Sequence, residues 1–328
     1  MKKNSAVKKI AVLCSGGDSP GMNCAIRAVV RTAIGEGLQV YGIQKGYEGL
    51  LENNIRELNV SSVGNILQHG GTILQTSRSK EFRTPEGRTK AAGILKSHGI
   101  DALVVIGGDG SYNGAMKLHE EHNFSVVGIP GTIDNDISGT DYTIGFDTAV
   151  QNAVDAVDKI RDTANSHART FIVEVMGRKS PAIALKVGIC TGAENVVLPT
   201  ATIDYQKISG DIDRGIKRGK TSSIIIAAEG EEPGIGYIIQ KSLKEQFKLE
   251  AHVCILGHIQ RGGNPTPTDR LIASQMGSFA VKAIVEGKKS SATVFLNGKV
   301  SITDLKNCLR KKNEFDLSEV ELLTALSI

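Results

Sequence analysis

Three short, unbroken apolar runs in this chain each pass directly into a glycine-rich loop that carries an aspartate. Ile10-Ala11-Val12-Leu13 leads into Ser15-Gly16-Gly17-Asp18-Ser19-Pro20-Gly21-Met22-Asn23. Ala102-Leu103-Val104-Val105-Ile106 leads into Gly107-Gly108-Asp109-Gly110-Ser111, and Val126-Val127-Gly128-Ile129 into Pro130-Gly131-Thr132-Ile133-Asp134-Asn135-Asp136. A strand exposed on one face alternates polar with apolar residues, whereas a strand covered on both faces does not. These runs therefore predict parallel strands with helices on either side. Between and after them the pattern predicts helices near 22–34, at 86–98, from Tyr112 to Glu121 and from Thr148 to Asp162. Another strand is expected at 38–43, and strands of a second sheet at 170–175, 195–198 and 222–228. The expected fold is α/β, with two doubly wound, mostly parallel-sheet, Rossmann-like domains.

The loops restrict the chemistry. Paired glycines leave backbone N–H groups uncovered, so a phosphate chain can approach them closely. An aspartate beside them would repel that chain unless a divalent cation mediates or the carboxylate has a proton to take. Phosphates, a metal and a base at the strand ends of one sheet point to phosphoryl transfer onto a small molecule. Blander readings exist for each residue: Asp109 could cap a helix starting near Tyr112, and Asp134 and Asp136 could be turn-formers around Asn135.

Composition narrows the classes further. A chain of 328 residues with 40% hydrophobic and 23% charged residues can bury the cores of two domains. Aromatics are only 4% and Trp is absent, which argues against base-stacking platforms, and a net charge of +4 is too small to imply a nucleic-acid partner. Lys2, Lys3, Lys8 and Lys9 form a basic start with no long apolar segment after it, so no secretory signal is expected. No apolar run approaches a membrane span. The cysteines Cys14, Cys24, Cys190, Cys254 and Cys308 show no metal-ligand spacing and fit free thiols in a reducing, cytoplasmic setting.

Gly257-His258-Ile259-Gln260-Arg261-Gly262-Gly263 ends an apolar run with a histidine and an arginine around a turn, a pairing suited to a phosphate dianion. Arg169 and Arg178 flank the run through Val175, and Arg27 and Arg31 are one helical turn apart. Taken with Val175-Met176-Gly177-Arg178 and the three loops, these motifs resemble the bacterial-type ATP-dependent 6-phosphofructokinase family over nearly the whole chain.

That resemblance implies roles. Gly17, Arg78, Ser79, Gly108, Asp109, Gly110 and Ser111 would bind ATP, with Asp109 also on Mg²⁺. Asp134 would be the general base for the sugar 1-hydroxyl, assisted by Thr132, and Arg178 would stabilise the transferring group. Ile133, Asp136, Met176, Gly177, Glu229, His258 and Arg261 would contact fructose 6-phosphate, with Arg169 and His252 reaching it across a subunit interface of a homotetramer. Arg27, Arg31, Arg161, Gly192, Glu194, Arg218 and Lys220 would hold an effector, ADP or phosphoenolpyruvate. The domains would be discontinuous: 1–144 plus about 259–310 for ATP and Mg²⁺, about 145–258 plus 311–328 for the sugar phosphate, with the active site in the cleft between them.

Departures from the family pattern are specific. His252 stands where an arginine is usual, and Lys179-Ser180-Pro181 replaces a small-residue pair. Basic residues expected near Val60, Thr221 and Ser222 are missing, so effector regulation is expected to be weak. Three alternatives compete: a pyrophosphate-dependent relative, a diacylglycerol- or NAD-type kinase, and a non-catalytic sugar-phosphate sensor. Gly110 and Gly131, where pyrophosphate-dependent relatives carry Asp and Lys, favour ATP. The motif at 258–261 disfavours a lipid or NAD kinase, and the presence of Asp109, Asp134 and Arg178 disfavours a sensor.

Overall fold

The computed structural model describes residues 7–199, 202–310 and 317–326. Its strands are, in chain order, β1 Lys9–Ser15, β2 Gln39–Ile43, β3 Ile55–Leu58, β4 Ala102–Gly107, β5 Ser125–Pro130, β6 Thr170–Val175, β7 Asn195–Val197, β8 Ser223–Ala228, β9 Ala251–Ile255, β10 Ser290–Leu296 and β11 Lys299–Asp304. The chain divides into two compact units, one within Met1–Asp147 and Arg261–Asn313, the other within Thr148–Gln260 and Glu314–Ile328.

In the first unit seven strands lie in the order β11-β10-β5-β4-β1-β2-β3. The interior pairs are parallel, and only the edge strands β3 and β11 run antiparallel to their neighbours. The unbroken apolar runs are now explained by their period of two. Ile10, Val12, Cys14, Val104, Ile106, Val127 and Ile129 enter one core with the helices Met22–Gly35 and Pro267–Val285. Ala11, Leu13, Leu103, Val105 and Val126 enter a second core with Ala91, Leu95, Ala115 and Leu118 of the helices Pro85–Ser97 and Asp109–His122. Each fully buried Val, Leu or Ile is worth about 1.5–3 kcal/mol, so both faces hold the sheet. Where Met22–Gly35 crosses Pro267–Val285, a Cβ on Gly277 would lie 2.6 Å from the Ala25 carbonyl oxygen; only glycine allows this approach.

The second unit holds four parallel strands in the order β7-β8-β6-β9. Ile172, Ile225 and Ala227 pack there against Ile208, Ile212, Ile239 and Leu243 of the helices Tyr205–Lys217 and Ile235–Phe247. Several expected boundaries shift, most of all the long helix expected over 148–162, which runs Phe146–His167. The helix expected from Tyr112 begins at Asp109, and the strand expected from Ser222 begins at Ser223. Among the described residues, no helix is long and apolar enough to cross a membrane.

Candidate active site

Register places three loops side by side in the first unit. Ser15 at the end of β1 pairs with Gly107 of β4, and Gly107 pairs with Pro130 of β5, so all three glycine-rich loops leave the sheet at one level. Ser111 Oγ donates to the Ser15 carbonyl at 2.8 Å, Gly131 N–H to the Gly107 carbonyl at 3.1 Å, and Thr76 Oγ1 to the Gly16 carbonyl at 2.8 Å. These cross-links tie each loop to its neighbour.

The second loop opens the helix Asp109–His122, whose N-terminal N–H groups and dipole favour an anion. Gly108 is the cap residue and Asp109 is already the first residue of the helix, so Asp109 does not act as a cap. Its carboxyl is pushed up to about 6, first by partial desolvation and then by the charge of Asp136. Gly110 and Gly131, grouped together in the sequence reading, behave differently. A Cβ on Gly110 meets nothing within 4 Å, whereas one on Gly131 would sit 3.0 Å from Ile106 Cγ2 and from Met22 Cε. Gly110 faces open space; Gly131 is small because the core beneath it is full. Of the two glycines, open space is found at Gly110 alone.

In the third loop the turn is formed by Asn135, which is left-handed at φ 48°. Its Nδ2 donates to the Asp141 carbonyl at 3.1 Å, and Thr143 Oγ1 donates to Asn135 Oδ1 at 3.2 Å and to the Thr132 carbonyl at 2.6 Å. Asn135 itself shapes the bend, with Asp134 and Asp136 on either side of it. Thr132 lies beside the Gly108 backbone, its Cβ 3.6 Å from where a Gly108 Cβ would stand. Ile133 is buried, and Asp136 is exposed.

One further first-unit residue comes to these loops. Arg261 lays its guanidinium 3.5 Å from the Gly17 Cβ position, and its Nε is buried with no hydrogen-bond partner among the described residues. A buried unpaired N–H costs about 1–3 kcal/mol, which a bound anion would relieve. Arg78 is exposed beside buried Ser79, whose Oγ accepts from Phe82 N–H at 3.1 Å. Sequence reasoning missed what holds this segment. Phe82 stacks on Tyr47 with centroids 3.8 Å apart, and Tyr47 donates its hydroxyl to the Ser111 carbonyl at 2.8 Å. Arg88 donates to the Phe82 and Arg83 carbonyls and pairs doubly with Glu121 at 2.6 Å.

In the second unit the sugar-binding candidates separate into two groups. Met176, Gly177 and Arg178 follow the C-terminal end of β6, Glu229 follows β8, and His258 lies on the 3-10 turn Gly257–Arg261 after β9. Gly177 at φ 150° and Arg178 at φ 51° bend the chain sharply, which leaves Arg178 exposed. Arg169 precedes β6, and His252 pairs with Phe171 near the start of β9, their rings 5.2 Å apart. A six-residue strand spans roughly 20 Å, so Arg169 and His252 sit at the opposite end of this sheet from the other group. One copy of the unit does not bring all these residues together.

The effector candidates of this unit do cluster. Arg161 donates to the Thr191 carbonyl at 2.6 Å beside the left-handed Gly192, and Lys220 pairs with buried Glu194 at 3.2 Å. Arg218 ends the helix Tyr205–Lys217 next to them. Ser222, where a basic residue was expected, gives its hydroxyl to Asn165. Arg27 and Arg31 lie on the helix Met22–Gly35 of the first unit.

A family model described as phosphofructokinase matches residues 9–284. An ATP-dependent 6-phosphofructokinase of Bacillus licheniformis is 52% identical over 322 residues, which is 98% of this chain and 100% of that one. One of Thermus thermophilus is 48% identical over the same shares. Among solved structures, a phosphofructokinase from Saccharomyces cerevisiae matches with a TM-score of 0.89 at 38% identity; 98% of this chain spans 50% of the yeast chain's length. A pyrophosphate-dependent phosphofructokinase from Marinobacter aquaeolei, at 19% identity and a TM-score of 0.84 over 98% of this chain and 91% of that one, shares the fold.

Proposed function

This chain belongs to the phosphofructokinase family, and from that premise we propose that it transfers the terminal phosphoryl group of ATP to the 1-hydroxyl of fructose 6-phosphate. The products are ADP and fructose 1,6-bisphosphate, a glycolytic step in the cytoplasm. The observation that carries this reading is the common level of the three loops: phosphate-binding backbone, a carboxylate pair and a base-bearing turn leave one end of the sheet side by side.

In this reading the first unit takes ATP and the second the sugar phosphate. Gly17, Gly108 and Ser111 offer the phosphate chain their loops, Arg78 and Ser79 flank it, and the open side of Gly110 admits the rest of the nucleotide. Asp109 would hold Mg²⁺, since a carboxyl raised by partial enclosure and by a second carboxylate suits a divalent cation. Among the described residues no cluster of three or more His, Cys, Asp or Glu could hold a metal, so Asp109 would share the ion with phosphate oxygens. When bound, Mg²⁺ neutralises charge on the phosphates.

Asp134 takes the proton of the 1-hydroxyl, with Thr132 beside it orienting the acceptor. The Arg178 guanidinium faces the charge that spreads over the equatorial oxygens during transfer. Ile133, Asp136, Met176, Gly177 and Glu229 are assigned to the sugar, and His258 and Arg261 to its 6-phosphate. Because Arg169 and His252 lie at the other sheet end, the reading gives them to a neighbouring copy's sugar phosphate within a homotetramer. Arg161, Gly192, Glu194, Arg218 and Lys220, with Arg27 and Arg31, are assigned to ADP or phosphoenolpyruvate. A coupled assay for ADP formation tests the proposal: sugar-dependent ADP release supports it, and ADP release indifferent to fructose 6-phosphate refutes it.

A further inference from the structure

The side chain of Gln260 is wholly buried yet polar, and none of the chemistry above uses it. Its Oε1 accepts from the Met176 N–H at 2.8 Å, and its Nε2 donates to the Ala149 carbonyl at 3.3 Å. The two partners make opposite demands, so only an amide answers both and its orientation is fixed. Three segments meet at this one group. They are the exit of β6 toward Arg178, the 3-10 turn that carries His258, and the first turn of the helix Phe146–His167.

The geometry of β6's exit explains why such an anchor is needed. Met176 is buried, and its N–H is the first donor beyond the strand. Gly177 and Arg178 then take left-handed conformations, and the turn closes through Ser180 N–H on the Gly177 carbonyl at 2.8 Å. A non-glycine residue in that region holds its place only when its surroundings over-determine it. On the other side, buried Glu174 accepts from Gly234 and Gly236 N–H at 2.7 and 2.8 Å, fixing the far end of the loop that begins at Glu229. The Glu174 carbonyl also accepts from Leu256 N–H at 3.0 Å, just before the His258 turn.

We infer that Gln260 is a positioning residue for the sugar-phosphate half of the site, setting the Met176–Arg178 turn against the turn that carries His258. The inference rests on the proposed function. A shift of about 1 Å in such groups costs up to roughly a hundredfold, so a change near tenfold in sugar handling is a fair expectation.

The test is Gln260→Met, which keeps volume and removes both hydrogen bonds, assayed beside the wild type well below the measured melting temperature of each. The fructose 6-phosphate half-saturation is expected to rise about tenfold and kcat to fall, with the KM for ATP within about twofold of wild type. Gln260→Glu keeps an acceptor for Met176 and is expected to recover part of the loss. A purely structural role would lower the melting temperature and leave that KM split unmoved, and this result overturns the inference. If the methionine variant does not fold, Asn152→Ala carries the test, because Asn152 Nδ2 donates to the Ile259 and Gln260 carbonyls at 3.4 Å. A sugar shift of about threefold is then expected, and no shift overturns it. A wild type without sugar-dependent ADP formation would instead sink the functional reading itself.

Discussion

Gly110 and Gly131 differ in what surrounds them, and one pair of substitutions exposes the difference. At Gly110 an added side chain enters open space in the first turn of a helix. Gly110→Ala therefore replaces a poor helix former without a clash and should stabilise the fold by up to about 1 kcal/mol. Gly110→Asp folds equally well but puts a negative charge where the reading places the nucleotide. Two like charges at 4 Å interact by about 4 kcal/mol at an effective dielectric of 20, and exposure reduces this to about 1–3 kcal/mol. The expected rise in the KM for ATP is thus roughly 5- to 150-fold, since 1.4 kcal/mol is about tenfold. At Gly131 a Cβ meets Ile106 and Met22 at 3.0 Å. Gly131→Ala overpacks the core and should cost about 1–3 kcal/mol, a fall in Tm of about 2–4 °C per kcal/mol for a domain of this size. Thermal melts and steady-state ADP formation at saturating sugar read both effects. An unchanged KM for ATP in Gly110→Asp, or a Gly131→Ala protein as stable as wild type, would refute the reasoning for that glycine.

Asp134→Asn keeps the shape of the third loop but cannot accept a proton, so turnover should fall by about 10²–10⁴-fold with little change in sugar affinity; near-normal turnover would remove Asp134 as the base. His252→Arg offers a longer, forked donor and should lower the sugar half-saturation, by an amount in the range of one charged hydrogen bond, about 1.5–3 kcal/mol; no change would mean that His252 does not reach substrate. Ser222 is engaged with Asn165, and Val60 and Thr221 carry no charge, so millimolar ADP should shift sugar saturation only slightly; a strong shift would show that other groups hold the effector. Glu121 is held below its ordinary pKa first by its hydrogen bond from Arg88. A lowered folded-state pKa contributes stability above the unfolded value, and this is lost as pH falls through the folded one. The stability gap between wild type and Glu121→Gln should therefore be present at pH 7 and close at pH values below about 4 in denaturant titrations.

The doubly wound α/β architecture was legible because each apolar run feeds two cores at once, Ile10 on one face of the sheet and Ala11 on the other. The edge strands were harder. β3, Ile55-Arg56-Glu57-Leu58, is short and half polar, although the β10–β11 hairpin does announce itself in Asn297-Gly298, both left-handed at φ 51° and 75° in a two-residue turn. Glycine-rich loops could be read from sequence, but their shared level depends on the register of β1, β4 and β5, which no single segment carries. The same holds for Gly131, whose neighbours Ile106 and Met22 come from a strand and a helix far away in the chain. The resemblance already gave Arg169 and His252 to a neighbouring copy, and the direction of β6 and β9 supplies the physical reason, since it puts them at the other end of the sheet from His258. Gln260 was visible inside its motif, but its partners Met176 and Ala149 were not.

The central claim is the identity of donor, acceptor and product. Phosphorus NMR of the purified protein with Mg²⁺, fructose 6-phosphate and either ATP or pyrophosphate tests it directly. With ATP, one ADP should form for each new phosphate ester on the sugar 1-oxygen, and with pyrophosphate the sugar should remain unchanged. Equal or faster conversion with pyrophosphate, or ADP release without the bisphosphate, would contradict the account.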